Sequence, residues 1–331
     1  MLAPIFIVGC PRSGTTLLRD LLRSHPNLTF PPESQFIPRY YRAYGNPNSN
    51  SDAIRLGKII LNTRSIRTWE IDLKPESFAD CRTFQQVLYI LFEAWRRREN
   101  KARWGDKTPQ YVNEIPLLLE LFPSAQIIHI IRDGRDVALS ALKVAFEGNL
   151  FTAADRWRSS VRAGREAGAR LSTDSYLEIR YEDLLERPEC VMKLVCDFLN
   201  EPFDPAVLRP CQPLTHGLSG APWITQDLSH PKLMILKSNA LKWQTVLRPA
   251  ERILFSSVAG DLLEELGYQA EGTVRHVGAA ERWAWHIHHC FRYVVARLGV
   301  FRRPDLIRTF VRYRMSDLTA WVHHRRGRTT W

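Results

Sequence analysis

Short runs of apolar residues alternate along the chain with longer segments whose apolar residues recur every three or four positions. Two continuous apolar runs, Pro4–Gly9 and Ala125–Ile131, predict buried β-strands, and Ser175–Arg180 predicts a third. The helical spacing predicts α-helices over Gly14–Ser24, Thr83–Asn100, Pro109–Phe122, Gly134–Ala145, Leu150–Leu171, Pro188–Leu199 and Pro249–Leu266. This order of strands and helices predicts an α/β fold with a central parallel sheet flanked by helices.

The composition is that of a globular protein, with 45% hydrophobic and 24% charged residues in a chain of 331. The six cysteines include no Cys-x-x-Cys pair, so we expect reduced thiols and a cytoplasmic location. No run of roughly 18 apolar residues is present, which predicts that no helix spans a membrane. The apolar start, MLAPIFIV, is too short for a signal peptide and is interpreted as the first strand.

Positive charge is concentrated at the C-terminal end. The net charge is +11, and residues 273–331 contribute +9 of it, with 12 Arg, no Lys and three acids. This shift in composition predicts a boundary near residue 272. We therefore expect a main domain over residues 1–272 and a basic extension over residues 273–331.

The basic extension contains two amphipathic segments, Glu281–Leu298 and Pro304–Arg326, which suit a helical hairpin. The apolar stripe of the first comprises Trp283, Ile287, Cys290, Phe291, Val294 and Leu298. Tryptophan with arginine suits contact with an anionic membrane surface. The alternative, which we favour, is that both helices pack on the core or on a second subunit of a homodimer. No nucleic-acid-reading motif accompanies the charge, so we expect no nucleic-acid partner.

A glycine-rich loop, Gly9–Thr16, separates the first predicted strand from the first predicted helix. It nearly matches the phosphate-binding pattern GxxxxGK[ST], in which backbone N–H groups and a helix N-terminus bind an anion. Thr15 replaces the lysine that reaches the β- and γ-phosphates, so a nucleoside triphosphate fits poorly and a single 5′-phosphate fits well. We assign the 5′-phosphate to Arg12, Ser13, Gly14, Thr15 and Thr16. The hydroxyl groups of Ser13, Thr15 and Thr16 donate hydrogen bonds to it, and Arg12 lies near the transferred group.

The loop sequence GCPRSGTTLL resembles the 5′-phosphosulfate loop of sulfotransferases that use 3′-phosphoadenosine 5′-phosphosulfate (PAPS). Further segments match that family in order: Trp104–Pro109, Ile127–Lys143, Tyr181–Leu184 and Lys242-Trp243. The resemblance covers about residues 4–268 and is closest in style to the tyrosylprotein and the bacterial carbohydrate or lipid branches. It implies a P-loop fold and PAPS as the sulfuryl donor. The sequence shows no metal-ligand spacing, so we expect no metal.

The resemblance also implies a site for the 3′-phosphate. Arg132 ends the second predicted strand, where ligands of such sheets bind, and Ser140 lies in the next helix. The family assigns both to the 3′-phosphate. For Asp133, Arg135 and Asp136, at the start of that helix, we expect structural salt bridges rather than ligand contacts.

Four further residues are candidates for contact with the donor. Tyr181 corresponds to a family position that lines the nucleotide, although it could equally be an aromatic residue that closes a strand. The long predicted loop over Asn200–Leu236 and the residues after it correspond to the family segment that covers the donor. Lys242 is the best match there, whereas Lys232 and Lys237 are as readily explained as solvated charges.

Sulfuryl transfer requires a base that takes the proton of the acceptor hydroxyl or amine. Glu33, in Phe30-Pro-Pro-Glu-Ser34, matches the catalytic base of tyrosylprotein sulfotransferases. The alternative is that Glu33 caps a helix beginning near Ser34. His25 is a competing base, although a histidine before proline is more typical of a structural turn.

Lys107, in Gly105–Pro109, matches the family lysine that contacts the transferred sulfonate and the leaving oxygen. A compact ammonium suits the charge that develops there. We expect the neighbouring Asp106 to anchor its loop. These residues do not indicate which class of acceptor the protein uses.

Two other functions remain open. A small-molecule kinase that uses a nucleoside triphosphate is disfavoured by Thr15 and by the apparent lack of a strand-borne acid for magnesium. A non-catalytic protein of the membrane surface could also have kept such a loop, because fold alone does not determine function.

Overall fold

The computed structural model describes residues 2–144, 147–209, 239–270 and 275–297. Its centre is a five-stranded parallel sheet in the order β2-β3-β1-β4-β5. The strands are β1 Ile5–Val8, β2 Leu28–Thr29, β3 Arg103–Lys107, β4 Gln126–Ile131 and β5 Tyr176–Arg180. The predicted α/β fold with a parallel sheet is therefore confirmed.

Helices cover both faces of the sheet. They are α1 Thr15–Arg23, α2 Ile37–Tyr44, α3 Asn50–Leu61, α4 Arg64–Arg67, α5 Phe84–Arg98, α6 Ile115–Leu121, α7 Gly134–Lys143, α8 Leu150–Gly168, α9 Tyr181–Glu186, α10 Pro188–Leu199, α11 Trp243–Val246, α12 Pro249–Glu265 and α13 Ala279–Arg297. Alternate residues of β1 point to opposite faces, so Phe6 packs with the α5 and α6 side and Ile7 with the α1 and α10 side.

The register of the strands brings the predicted motifs to one edge. Ile7 on the central strand pairs with Lys107 of β3 on one side and with Ile128 of β4 on the other. Because all strands are parallel, their carboxyl ends meet at the same edge of the sheet. The glycine-rich loop after β1, the end of β3 and Arg132 after β4 therefore lie side by side.

Strand β3 was not predicted as a strand, because its sequence, RWGDK, is polar. All five of its residues are nevertheless buried. Arg103 pairs with Glu201, and Asp106 and Lys107 have partners described below. Gly105 has no side chain, and the ring of Phe30 occupies the space that a Cβ would need. Burial of this strand depends on partners distant in the sequence, which a local pattern does not show.

The predicted helix over Pro109–Phe122 is wrong in part. Residues Pro109–Glu114 form a 3₁₀ helix, and only Ile115–Leu121 are α-helical. Pro116 stands in the first turn of that second helix, where its missing N–H costs nothing, and it cannot continue the preceding one. Helices α3, α4, α9 and α11 and strand β2 were not predicted, and α2 begins at Ile37 rather than near Ser34.

Helix α13 contacts the core with a different face from the one its apolar stripe suggested. Trp285 is 6% exposed and its carbonyl accepts a hydrogen bond of 2.8 Å from Asn149, while His289 lies 3.3 Å from buried Glu147. Trp283, Ile287 and Phe291 are 69%, 62% and 53% exposed. Helix α13 thus packs on the core, as expected, but through residues outside the stripe; packing of the stripe itself on a second subunit stays a prediction.

The second amphipathic segment, Pro304–Arg326, and the proposed boundary at residue 272 lie outside the described residues. Among the described helices, none has the length and apolar character needed to cross a bilayer.

Candidate active site

The glycine-rich loop connects β1 to α1 in the predicted order. Arg12 and Gly14 both adopt left-handed backbone conformations, with φ of 79° and 94°. Turns of this kind direct successive backbone N–H groups toward one point and form anion-binding concavities. Gly14 must be glycine for a second reason as well, because a Cβ there would clash with the ring of Tyr181.

The N-terminus of α1 has unfilled hydrogen-bonding capacity. Its N-cap residue is Gly14, and no side chain caps the first turn. Ser13 is fully buried, and its hydroxyl has no hydrogen-bond partner among the described residues. Buried polar groups without partners are rare and costly, so this hydroxyl is suited to a ligand. Together these donors fit a phosphate group.

Two guanidinium groups meet beside this loop. Arg132 follows β4, donates to the backbone oxygen of Arg12 at 3.2 Å and stacks 4.6 Å above the ring of Tyr181. Its Nε is buried and has no partner among the described residues. The Nε of Arg12 donates to the hydroxyl of Ser140 at 3.0 Å. Arg12, Arg132 and Ser140 thus form one basic cluster, and the side chain of Arg12 is directed toward Ser140.

Tyr181 links the loop to this cluster. It is the first residue of α9 and is buried, with its ring packed against Gly14 on the loop and beneath Arg132. The ring therefore fixes the spacing between the loop and Arg132.

The salt bridges predicted at the start of α7 are present. Asp133 caps α7 and pairs with Arg135 at 2.7 Å, and Asp136 lies 3.6 Å from Arg132. Asp136 also accepts a hydrogen bond from the backbone N–H of Trp243 at 2.9 Å. Burial raises the pKa of Asp136, although the charge of Arg132 opposes this.

The contact with Trp243 places Lys242 near the basic cluster. Lys242 is exposed and donates to the side-chain oxygen of Asn239 at 2.6 Å, while Arg132 donates to the backbone oxygen of Asn239. Lys232 and Lys237 lie outside the described residues.

Glu33 and Lys107 form an ion pair at the carboxyl edge of the sheet. Lys107, the last residue of β3, also donates to the hydroxyl of Thr16 at 3.3 Å, so the pair reaches the first turn of α1. The other oxygen of Glu33 accepts from Gln35 at 2.8 Å. The side chain of Lys107 is only 3% exposed, whereas that of Glu33 is 26% exposed. The carboxylate is therefore the member of the pair that an incoming group can reach.

Each partner shifts the pKa of the other. Burial opposes ionisation of Glu33, but the charge of Lys107 and its hydrogen bond outweigh burial, so the pKa of Glu33 lies below its ordinary value. Burial lowers the pKa of Lys107, and the charge of Glu33 opposes that change. In this structure Glu33 is an ionised acceptor, which is the form that a base requires.

The two alternative assignments made from the sequence are not supported by the geometry. Helix α2 begins at Ile37 with Phe36 as its N-cap residue, so Glu33 does not cap it. His25 is fully buried, and its ring nitrogens are 2.8 Å from the oxygen of Pro202 and 3.1 Å from the N–H of Asn27. The expected structural role of His25 in a turn is confirmed.

Asp106 corrects one premise of the sequence analysis. It lies on β3, beside the central strand, so the strand-borne acid that was thought to be missing is present. Its carboxylate, however, accepts hydrogen bonds from Ser34 at 2.6 Å and from Thr108 at 3.2 Å and is fully buried. Burial raises its pKa to about 6. The expected anchoring role is confirmed.

Four residues near the site were missed by sequence reasoning. Ser34, Gln35, Tyr111 and Asn239 touch the assigned side chains or their neighbours. Ser34 and Gln35 directly follow the predicted base and could have been examined for that reason. Nothing in the local pattern marks Tyr111 or Asn239, because both reach the site through tertiary contacts.

Comparison with known proteins gives a consistent picture. The profile of the sulfotransferase family matches residues 4–205. Protein-tyrosine sulfotransferase of Drosophila melanogaster is 25% identical over 294 residues, or 84% of this chain and 54% of that protein. Protein-tyrosine sulfotransferase A of Caenorhabditis elegans is 28% identical over 219 residues, or 62% and 52%. The chain thus spans about half the length of these two relatives.

A solved structure agrees with the fold. The sulfotransferase domain from the Synechococcus PCC 7002 olefin synthase superposes with a TM-score of 0.55 at 26% sequence identity. The match covers 82% of this chain and 98% of that one.

The ion pair predicts how Glu33 responds when its partner is removed. In the variant Lys107→Met, the pKa of Glu33 should rise, because burial still opposes ionisation and the main opposing charge is lost. A ¹³C NMR titration of glutamate-labelled protein would measure this, with Glu33→Gln identifying the resonance. Lys193→Met, which removes the exposed partner of Glu189 on α10, is the control and should leave the Glu33 titration unchanged. An unshifted Glu33 in Lys107→Met would contradict the assignment of the pair.

Proposed function

Because the chain belongs to the sulfotransferase family, we propose that it transfers a sulfuryl group from PAPS to a hydroxyl of an acceptor. The observation that carries this proposal is the position of Lys107, whose ammonium donates to both Glu33 and Thr16. One cation thus connects a candidate base to the loop that fits a 5′-phosphate. Transfer of an anionic group uses a base, a cation and an anion-binding loop held close together.

The donor fits the residues around the loop. The N-terminus of α1 and the partnerless hydroxyl of Ser13 would hold the 5′-phosphate, together with Thr15 and Thr16. Arg132, Arg12 and Ser140 would hold the 3′-phosphate, because their cluster offers two guanidinium groups at the end of β4. This gives Arg12 a different role from the predicted one near the transferred group, since its side chain is bonded to Ser140. Lys242 would add a further positive charge from beside Asn239. We propose no metal in this reaction.

The roles of this chain's residues in the reaction are positioning and charge stabilisation. Glu33 would take the proton of the acceptor hydroxyl while that oxygen forms its bond to sulfur. The bond from sulfur to the 5′-phosphate oxygen breaks, and that oxygen keeps the electron pair. Lys107 and the N-terminus of α1 would stabilise the resulting negative charge. The exposed fraction of Glu33 allows an acceptor to approach from the solvent side.

A kinase-like reaction with a nucleoside triphosphate is the competing proposal. Asp106 is strand-borne, but its carboxylate is bonded to Ser34 and Thr108, and Thr15 stands in place of the loop lysine. These residues favour the sulfuryl donor.

For the acceptor, the names of two relatives support a hydroxyl such as that of tyrosine.

The donor assignment predicts selective binding. Adenosine 3′,5′-bisphosphate should raise the melting temperature, whereas ATP with magnesium should raise it little. Arg132→Ala should weaken binding of the bisphosphate by about 2 kcal/mol, or roughly 30-fold, through loss of charge-assisted bonds. Isothermal titration calorimetry would measure the affinity, with Arg187→Ala as a control at an exposed ion pair.

Stronger stabilisation by ATP with magnesium would overturn the sulfotransferase proposal. If Arg132→Ala lowers the melting temperature of the free protein, Ser140→Ala serves as a milder test of the same cluster. Unchanged affinity in both variants would mean that the 3′-phosphate binds elsewhere.

The base assignment predicts a loss of turnover without a loss of binding. Glu33→Gln keeps the shape of the side chain and removes the proton acceptor, so turnover should fall by roughly 10²–10⁴-fold. The affinity for adenosine 3′,5′-bisphosphate should stay nearly unchanged. The measurement is transfer of labelled sulfate from PAPS to acceptors in a cell extract. Glu114→Gln, at a surface pair with Arg42, is the control. Full turnover by Glu33→Gln would exclude it as the base.

We also propose that α13 contacts an anionic lipid surface. Trp283, Ile287 and Phe291 share one outward face of a helix whose other face is held by Trp285 and His289. That face belongs to the segment of 59 residues that carries +9. An apolar face with an exposed tryptophan, combined with positive charge, is complementary to an anionic bilayer surface.

This proposal predicts binding to vesicles that contain phosphatidylserine, and weaker binding at high salt. A full-length variant with Trp283→Ser, Ile287→Ser and Phe291→Ser should lose most of this binding. Leu194→Ser, at an exposed apolar residue of α10, is the control. Vesicle co-sedimentation measures the effect, and phosphatidylcholine vesicles serve as the uncharged comparison. A dimer that the triple variant dissociates, with no vesicle binding by the wild type, would show that the face belongs to a subunit interface.

A further inference from the structure

Beside the pair of Glu33 and Lys107 lies a second pair formed by their sequence neighbours. Asp106 precedes Lys107 on β3, and Ser34 follows Glu33 on the segment after β2. Ser34 donates to Asp106 at 2.6 Å, and its backbone N–H approaches the same carboxylate at 3.4 Å. Two consecutive residues of one segment are thus bonded to two consecutive residues of the other.

Sheet geometry places the two pairs on opposite faces of the same two segments. Side chains of neighbouring residues in extended chain point to opposite faces. The Glu33 pair therefore lies on the face that reaches Thr16, and the Ser34 pair lies on the other. A slip of the segment by one residue would exchange the faces and break both pairs.

We propose that Tyr111, Ser34 and Asp106 are positioning residues that set where Glu33 stands relative to Lys107. This inference rests on the proposed function, because it concerns the geometry of the proposed base. Tyr111 completes the cluster: its hydroxyl is 2.8 Å from that of Ser34 and accepts from the backbone N–H of Ile37 at 3.1 Å. It thereby connects the segment after Glu33 to the start of α2.

The hydrogen bonds of this cluster run in one direction. Because the Tyr111 oxygen accepts from Ile37, its own proton is available to Ser34. The Ser34 oxygen accepts that proton and donates its own to the Asp106 carboxylate. Ser34 and Asp106 are fully buried and Tyr111 nearly so, which leaves no water to replace a lost partner.

The segment itself needs such support. It has no regular secondary structure between β2 and α2, and Gln35, a partner of Glu33, has a left-handed φ of 58°. Two hydrogen bonds outside the cluster also hold this segment. The indole N–H of Trp69 donates to the backbone oxygen of Pro32 at 3.0 Å, and the hydroxyl of Ser65 donates to the backbone oxygen of Ser34 at 2.8 Å. Those bonds hold the backbone, whereas the Asp106 cluster holds the side-chain register at the base.

The test is the variant Tyr111→Phe, which deletes one hydroxyl. Turnover should fall by about 10-fold or more, since a shift on the order of 1 Å in a reacting group can cost 10²-fold. The KM for PAPS should change by less than about twofold, because the phosphate contacts are made by other residues. The matched control is Tyr176→Phe, which deletes a tyrosine hydroxyl bonded to buried His129 at the opposite edge of the sheet.

A purely structural role would lower the melting temperature of both variants and leave turnover of both at the wild-type value. Equal turnover of Tyr111→Phe and Tyr176→Phe at a temperature where both are folded would therefore overturn the proposal. Ser34→Ala should reproduce the effect of Tyr111→Phe, and the double variant should add little, because both break one chain of bonds.

A second readout does not depend on sulfuryl transfer. In Tyr111→Phe the pKa of Glu33, followed by ¹³C NMR, should move upward because Lys107 holds that carboxylate less closely. Tyr176→Phe should leave the pKa of Glu33 unchanged. If the wild type transfers no sulfate from PAPS, the proposed function fails while this measurement still decides the positioning proposal. An unmoved Glu33 titration in Tyr111→Phe would overturn the positioning proposal whatever the reaction.

Lowering the pH through the pKa of Asp106 should change stability and turnover in opposite directions. The titratable groups that face Asp106 are Glu33 and Tyr111, and Lys107 is its neighbour on β3. Because burial raises the pKa of Asp106 from 3.8 to about 6, its protonation between those two values should stabilise the folded state relative to the unfolded chain. Turnover should fall over the same range, because the charged acceptor of the Ser34 hydroxyl becomes a neutral carboxylic acid that holds Ser34 less strongly. Asp106→Asn should remove the contribution of Asp106 to the pH dependence of stability and leave that of the buried Asp136 and Glu182, whose pKa values are also raised. An Asp106→Asn variant with the same pH dependence of stability as the wild type would contradict this role.

Discussion

The ammonium of Lys107 is buried at the carboxyl edge of the sheet, and the elements around it are arranged so that this charge has partners. A buried ammonium without a counter-charge costs several kcal/mol, and burial alone would favour its neutral form. Glu33 and Thr16 supply the partners from two different elements, the segment after β2 and the first turn of α1. The need to satisfy one charge therefore brings the loop, the strand and the candidate base together. Asp106 and Ser34, one residue away on each segment, hold the same register from the other face.

The two regions proposed to bind phosphate are connected through one aromatic ring. Tyr181 packs against Gly14 in the glycine-rich loop and beneath Arg132 after β4. Arg132 in turn donates to the backbone of Arg12, whose side chain reaches Ser140 on α7. The loop between β1 and α1 is thus held by β4, α7 and α9 at once. A parallel sheet makes this possible, since it places the carboxyl ends of adjacent strands at one edge although their sequences lie more than 100 residues apart.

Local sequence signals were sufficient where local physics decides the structure. The strand β1, the glycine-rich loop and the helix α1 follow one another within about 20 residues, and each has its own pattern, so all three could be predicted. Strand β3 could not, because its polar residues are buried only through partners such as Glu201 and Ser34. The stripe of α13 was recognised as apolar, but periodicity does not say which face a helix buries. Trp285, outside the stripe, contacts the core. Tyr111 was invisible for the same reason as β3: its role depends on Ser34, 77 residues away.

The Lys107 ammonium, which Glu33 and Thr16 share, also accounts for how the proposed base could be ionised in the free protein and become more basic when a ligand binds. Lys107 holds the pKa of Glu33 below its ordinary value, which makes the carboxylate a weak base. The same ammonium donates to Thr16, so a negative group bound at the N-terminus of α1 competes with Glu33 for its charge. As that group draws the ammonium, the carboxylate loses its main stabilising partner while burial continues to oppose ionisation. Its proton affinity then rises. Binding of an anion at the loop would thus strengthen the base at the moment an acceptor must be deprotonated, without any movement of the backbone.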